Sequence, residues 1–148
     1  MSLNDAVNVM MEVPMFRNVE PKRLRLFAFM GETLTYRAGE RLFEKGDDGD
    51  AAYIIIDGTV DVLVPVEDGE FPVATLGARE IFGEMAVLCS RPRSTAIAAR
   101  TDLTVLRLQR SAFLNLLCEF PEIALELIRI LADRLEATTR ELATTRAH

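Results

Sequence analysis

The sequence has no tryptophan, one histidine and two cysteines in 148 residues. Each shortage closes off a class of chemistry. The single histidine, His148, is the last residue, so a multi-histidine metal site lacks its ligands and no metal is expected. Cys89 and Cys118 have no histidine beside them, which removes the common cysteine nucleophile, and two cysteines suggest no disulfide framework. A reducing cytoplasm is the expected setting. No apolar run approaches the roughly 18 residues needed to cross a bilayer, and residues 1–20 lack a basic stretch leading into an apolar one, so neither a membrane segment nor a targeting peptide is expected. Positive charge is in the minority, with 17 Lys and Arg against 23 Asp and Glu, a net charge of −6 that does not suit a phosphate backbone. What is abundant is apolar: 49% of the residues are hydrophobic, enough for one ordinary core, and the expectation is a single domain over 1–148.

The most informative stretch runs from Phe82 to Ala96. It holds a turn glycine, a carboxylate and an arginine, Gly83, Glu84 and Arg93, inside otherwise apolar sequence. Gly-Glu followed by Met85, Ala86, Val87 and Leu88 reads as a short helix whose free N–H groups attract an anion. Arg93, nine positions after Glu84, supplies a counter-charge, so acceptor and cation can reach opposite ends of one small ligand. A carboxylate accepts from a sugar hydroxyl, and a guanidinium fork grips a phosphate. Arg93 is expected on a solvent-accessible wall, where its removal leaves the fold intact. The alternative is a capped helix with a surface salt bridge. Cys89, in the same loop, reads as an ordinary small apolar residue.

This stretch resembles the phosphate-binding cassette of cyclic nucleotide-binding domains: Phe-Gly-Glu, apolar residues, a variable loop, then Arg with small residues. The resemblance implies that Glu84 takes the ribose 2′-hydroxyl, Arg93 pairs with the cyclic phosphate and Ser94 adds a contact. Gly83 and the backbone at Met85, Ala86 and Thr95 complete the cradle, with Thr95 standing where the family usually has Ala. The glycine-punctuated sequence from Tyr36 to Val60 is similar to the family's entry strands. Val60, Val62, Val64 and Val66 alternate with other residues as one apolar strand face, Glu67 to Glu70 turns, and Phe71 to Leu76 returns. Two further strands follow, through Ile97 and through Leu103 to Leu108. Short strands with helices only at the ends fit a double-sheet β architecture. The resemblance makes it mainly β with flanking helices, a β-roll of jelly-roll type over 32–109, with N-terminal helices in 1–31 and C-terminal helices in 110–148. Helices are expected over Met10 to Phe16, over Pro21 to Phe29, from a Ser111 cap through Leu117, and from Pro121 onward.

In the last helix Leu125, Ile128, Ala132, Leu135, Thr139 and Leu142 recur at steps of three and four, the seam of a coiled coil. Leu127, Ile130 and Leu131 supply a second face that can pack on the roll, and a homodimer is expected. The alternative is one amphipathic helix lying against the barrel. The step Arg134-Leu135 followed by Thr138 and Thr139 also resembles the dimer helix of bacterial catabolite activators. That implies a base contact from Thr138 in its own subunit and from Thr139 in the partner. Ala143-Thr144-Thr145-Arg146 nearly repeats Ala137 to Arg140, so the pair also reads as a plain polar pattern.

Family members with a Thr after the cassette Arg often favour cGMP, so Ser94 leans towards cAMP while leaving cGMP open. Many bacterial relatives carry a helix-turn-helix module after the dimer helix. This sequence ends about where one would begin, and no direct nucleic-acid contact is expected from it. Two functions follow: a non-enzymatic cyclic nucleotide sensor, either alone or as part of a longer regulator, or a scaffold that kept the fold, lost the ligand and dimerises or docks through its last helix.

Overall fold

The computed structural model describes residues 3–147. Two antiparallel sheets of four strands each face one another. The first has the order β1-β8-β3-β6 and the second β2-β7-β4-β5, with β1 Glu32–Tyr36, β2 Arg41–Phe43, β3 Ala51–Asp57, β4 Val60–Val66, β5 Gly69–Leu76, β6 Ile81–Phe82, β7 Ala96–Ala99 and β8 Leu103–Gln109. Helices α1 Leu3–Glu12 and α2 Pro21–Met30 precede the roll, α3 Glu84–Leu88 interrupts it, and α4 Arg110–Glu119 and α5 Pro121–Ala147 follow.

Strand β3 explains why there are two cores. Six of its seven residues are buried, because each face packs on something different. Ala51, Tyr53 and Ile55 point into the roll with Phe43, Val60, Phe82, Ile97, Leu103 and Val105. Ala52, Ile54 and Ile56 point outward, with Leu106 and Leu108 of β8, onto a helical layer containing Met10, Phe16, Leu24, Phe113, Ile123 and Leu127. A strand buried on both faces reads as a continuous apolar run, as Ala51 to Ile56 does. The valines of β4 form one face as expected, but it leaves the core gradually: Val60 is fully buried and Val66 exposed.

Three boundaries differ from the expectations above. The helix expected over Met10 to Phe16 is the end of α1 plus a separate 3-10 turn at Pro14–Phe16. Pro14 has no N–H to continue the ladder and holds Val13 in extended geometry (φ −74°, ψ 125°). Helix α4 starts at Arg110 rather than after a Ser111 cap. The chain passes directly from β8 into it, and the Arg110 N–H donates to Asp50 O at 2.9 Å in place of a side-chain cap. The returning hairpin arm begins at Gly69 instead of Phe71, opposite Val66, leaving Glu67 and Asp68 as the turn.

Candidate functional site

The cassette closes one end of the roll. Gly83 separates β6 from α3 in a left-handed conformation (φ 78°), and a side chain there would put a Cβ 2.8 Å from Arg93 Nη1 and 3.3 Å from the Tyr53 ring. Only glycine fits both demands. The loop that brings back Arg93 is tied to the β2–β3 connection by backbone bonds, Arg93 N to Asp47 O at 2.7 Å and Gly46 N to Arg93 O at 2.8 Å.

Arg93 is 3% exposed, which corrects the expectation of an accessible pocket wall. Its Nη1 donates to Gly83 O and its Nη2 to Ala51 O, both at 2.7 Å, and its guanidinium carbon lies 4.1 Å above the centre of the Phe43 ring. Asp50 Oδ1 stands 3.4 Å from Nη2. Asp50 Oδ2 meanwhile accepts from Arg107 at 2.9 Å, and Arg107 also reaches Glu32. The Arg93 Nε is buried with no hydrogen-bond partner among the described residues. Burial pulls the guanidinium below its usual pKa.

Glu84, also 3% exposed, is the other of only two buried polar or charged side chains among the described residues. Its Oε1 accepts from Arg134 Nη1 at 3.0 Å, and Arg134 Nη2 donates to Ile81 O at 2.9 Å. Helix α5 is thereby fastened to the cassette by one arginine. Burial raises the Glu84 pKa above its ordinary 4.5, and a hydrogen bond from its own backbone together with Arg134 only partly offsets this. Because the folded-state pKa is the higher one, the native state holds the proton more tightly, and stability falls as pH rises from about 4.5 through the folded pKa. Thermal melts of the ligand-free protein across that window should show this slope, and Glu84→Gln should flatten it. An unchanged slope would contradict the burial effect.

Both charges line one cavity of about 660 Å³, a size suited to a small ligand. Gly83, Met85, Ala86, Ser94, Thr95 and Thr138 line it too, so the structure brings together every site residue expected from within one subunit, Thr139 having been expected from the partner. Its apolar walls come from the roll, through Phe43, Val62, Leu76 and Ile97, and from α5, through Ile128, Leu131 and Leu135. Thr139 sits instead on the outer surface of α5 beside Glu136 and Arg140, and its hydroxyl donates to Leu135 O at 2.9 Å. The Thr138 hydroxyl is likewise turned back to Arg134 O, at 3.0 Å. Asp50, Phe43 and Arg134 were not among the expected site residues. For Arg134 a signal existed: it lies four residues before Thr138, hence on the same helix face.

A family model described as "Cyclic nucleotide-binding domain" matches residues 33–119, which contain both buried charges. The chain belongs to the cyclic nucleotide-binding domain family. This domain is 30% identical over 129 residues to the CRP-like cAMP-activated global transcriptional regulator of Mycobacterium tuberculosis, covering 86% of this chain and 58% of that protein. It is 33% identical over 106 residues to the cAMP-dependent protein kinase regulatory subunit of Emericella nidulans, covering 72% of this chain and 25% of the other. Among solved structures, the Thermus thermophilus catabolite activator protein superposes with a TM-score of 0.77 at 33% identity, over 87% of this chain and 61% of that one. The chain thus spans less than two thirds of the length of each of these relatives. Among the described residues, no group of three or more His, Cys, Asp or Glu is placed to hold a metal ion, and no helix is long and apolar enough to cross a membrane.

Proposed function

We propose that residues 1–148 form one cytoplasmic sensor domain that binds a cyclic purine nucleotide, cAMP in preference to cGMP, and passes occupancy to α5 without catalysis of its own. The observation that carries this reading is that the two buried charged side chains, Glu84 and Arg93, line the same cavity. A scaffold that had lost its ligand would explain Arg93 as a brace, but not its buried Nε, which has no partner among the described residues and is costly to bury unless a ligand pairs with it. A cyclic phosphate entering beside Arg93 accepts from the partnerless Nε and from the Ser94 hydroxyl, with the backbone at Met85, Ala86 and Thr95 around it. A ribose hydroxyl donates to the Glu84 carboxylate, whose two oxygens have room for it beside Arg134. The base lies among Val62, Leu76, Leu131 and Leu135, where Thr138 is the polar group. The family relationship supports the nucleotide, and the names of the Mycobacterium and Emericella relatives favour cAMP.

A hydroxyl both donates and accepts, so Thr138 reads the base weakly, and a preference of about tenfold for cAMP is expected. Displacement of a fluorescent cAMP analogue by cAMP, cGMP and 5′-AMP tests this. A clear cGMP preference, or equal displacement by 5′-AMP, would refute the assignment.

Transmission runs through Arg134, which connects the ribose-directed carboxylate to α5. Beyond that point the helix presents Leu135 and Leu142, and before it Leu125 and Ile128, all between 48% and 67% exposed. Leu127 is buried in the helical layer with Ile130 and Leu131 packed against that layer, and Ile128, Leu131 and Leu135 also border the cavity. That division supports a homodimer through the exposed seam, in which Thr139 of one subunit approaches the other. Leu142→Asp, on the seam but outside the cavity, should convert dimers into monomers, because a symmetric contact would face two desolvated carboxylates. Sedimentation of a monomeric parent at tens of micromolar would contradict it. The net charge of −6 favours a protein partner over nucleic acid for the signal's next step.

A further inference from the structure

A second concave surface lies between the first two helices, away from the nucleotide site. Asn4, Val7, Asn8 and Met11 of α1 and Pro21, Lys22 and Arg25 of α2 line a groove of about 550 Å³. The α1 residues recur at steps of three, one and three, so they form one helix face, with Val7 buried as floor and Met11 half exposed. On α2 the strip continues past Lys22 and Arg25 through Leu26, Phe29 and Met30, which are 56%, 75% and 47% exposed. Phe29 is the most exposed large apolar side chain among the described residues. Helix α2 carries three cations, Lys22, Arg23 and Arg25, and no acid, in a chain whose net charge is −6. Arg23 lies over the Phe120 ring, whereas Lys22 and Arg25 line the groove, with Arg25 Nη2 donating to Asn4 Oδ1 across it.

We propose that this groove and strip dock an acidic amphipathic helix of a partner protein. A cleft between two helices seats a third helix, whose apolar residues at helical spacing fill it. Here Val7, Met11 and Leu26 receive them, and Phe29 serves as the aromatic anchor at one end. Carboxylates flanking the apolar stripe reach Lys22 and Arg25, and the Asn8 amide offers a further donor. A lipid surface fits less well, because the site is a concave cleft between two helices. None of the groove residues lines the nucleotide cavity, so this partner binds independently of that reading.

The test uses the full chain and a fluorescein-labelled peptide of about 18 residues, five helical turns, with Leu at i, i+3, i+4 and i+7 and Glu on the flanks. Fluorescence anisotropy should show saturable micromolar binding that weakens with salt and falls at least about tenfold in Phe29→Ser and in Lys22→Glu/Arg25→Glu. Both substitutions are on the surface, and unchanged melting temperatures would confirm intact folding. A peptide with Lys in place of Glu should not bind. Absence of saturation up to about 1 mM, well beyond the range of a specific docking site, would overturn the proposal. So would equal binding by the charge-reversed protein, or association with phosphatidylglycerol vesicles but not with the acidic peptide.

Discussion

Replacing Arg93 with alanine is expected to lower cyclic nucleotide affinity by about ten- to a hundredfold or more, the equivalent of one charged hydrogen-bonded contact of roughly 1.5–3 kcal/mol. The same substitution should also lower the stability of the ligand-free domain. Arg93 is a brace within the roll as well as a ligand group: its two terminal nitrogens hold Gly83 O and Ala51 O, and its plane covers Phe43. Alanine leaves both carbonyls without their donor, at a cost of about 1–3 kcal/mol for each acceptor that water cannot reach. Relief from burying a guanidinium works in the opposite direction, so the net loss is expected near the lower end of that range. Arg93→Lys separates the two roles. A lysine keeps the charge but not the rigid fork that spans two carbonyls, and should recover part of the affinity and little of the stability. Calorimetric titration paired with thermal melts reads both quantities. Nucleotide affinity equal to the parent's in Arg93→Ala would show that the phosphate lies elsewhere.

The second large effect is expected from Arg134→Ala. Arg134 bridges Glu84 and the Ile81 carbonyl, joining α5 to the cassette by its side chain. Its removal strands the Glu84 carboxylate in a site where burial already raises its pKa. Breaking a fully buried pair costs about 3–5 kcal/mol, but Arg134 is a third exposed, so a loss of about 1–2 kcal/mol is expected here. The more telling consequence concerns α5. Amide hydrogen exchange after Leu131 should accelerate in Arg134→Ala, and the protection that nucleotide adds to those amides in the parent should largely disappear. If ligand protects α5 equally in the variant, the signal reaches the helix by another route, such as the apolar contacts of Ile128 and Leu131.

Which parts of this domain were legible in its sequence follows from the range of the interactions concerned. The hairpin of β4 and β5 was readable because its alternating valines and turn residues are neighbours in the chain. The cassette was readable for the same reason, with Gly83, Glu84 and Arg93 within one short segment. Arg93's burial was not, because arginine is almost never fully buried unless paired, and its partners Gly83 O and Ala51 O are supplied by tertiary structure. The Glu84–Arg134 pair joins residues 50 positions apart, and no local pattern sets that distance. Thr139 was expected to act from the partner subunit, and helix geometry gives it a different face from Thr138. Adjacent hydroxyls on a helix point about 100° apart, so Thr138 facing the cavity turns Thr139 towards the outer seam. Helix α1 was placed too late, over Met10 to Phe16: its buried residues Ala6 and Val7 lie before that span, and its end at Glu12 follows from the break that Pro14 imposes.

The most direct measurement of nucleotide binding is calorimetric titration of the purified chain with cAMP and cGMP, accompanied by thermal melts at each concentration. The expected result is saturable binding with one site per chain and a melting temperature that climbs with ligand, since a hundredfold excess over Kd adds about 2.7 kcal/mol to the folded state. No heat and no melting shift with either nucleotide at millimolar concentration would contradict the sensor reading and leave Glu84 and Arg93 as structural charges in a scaffold.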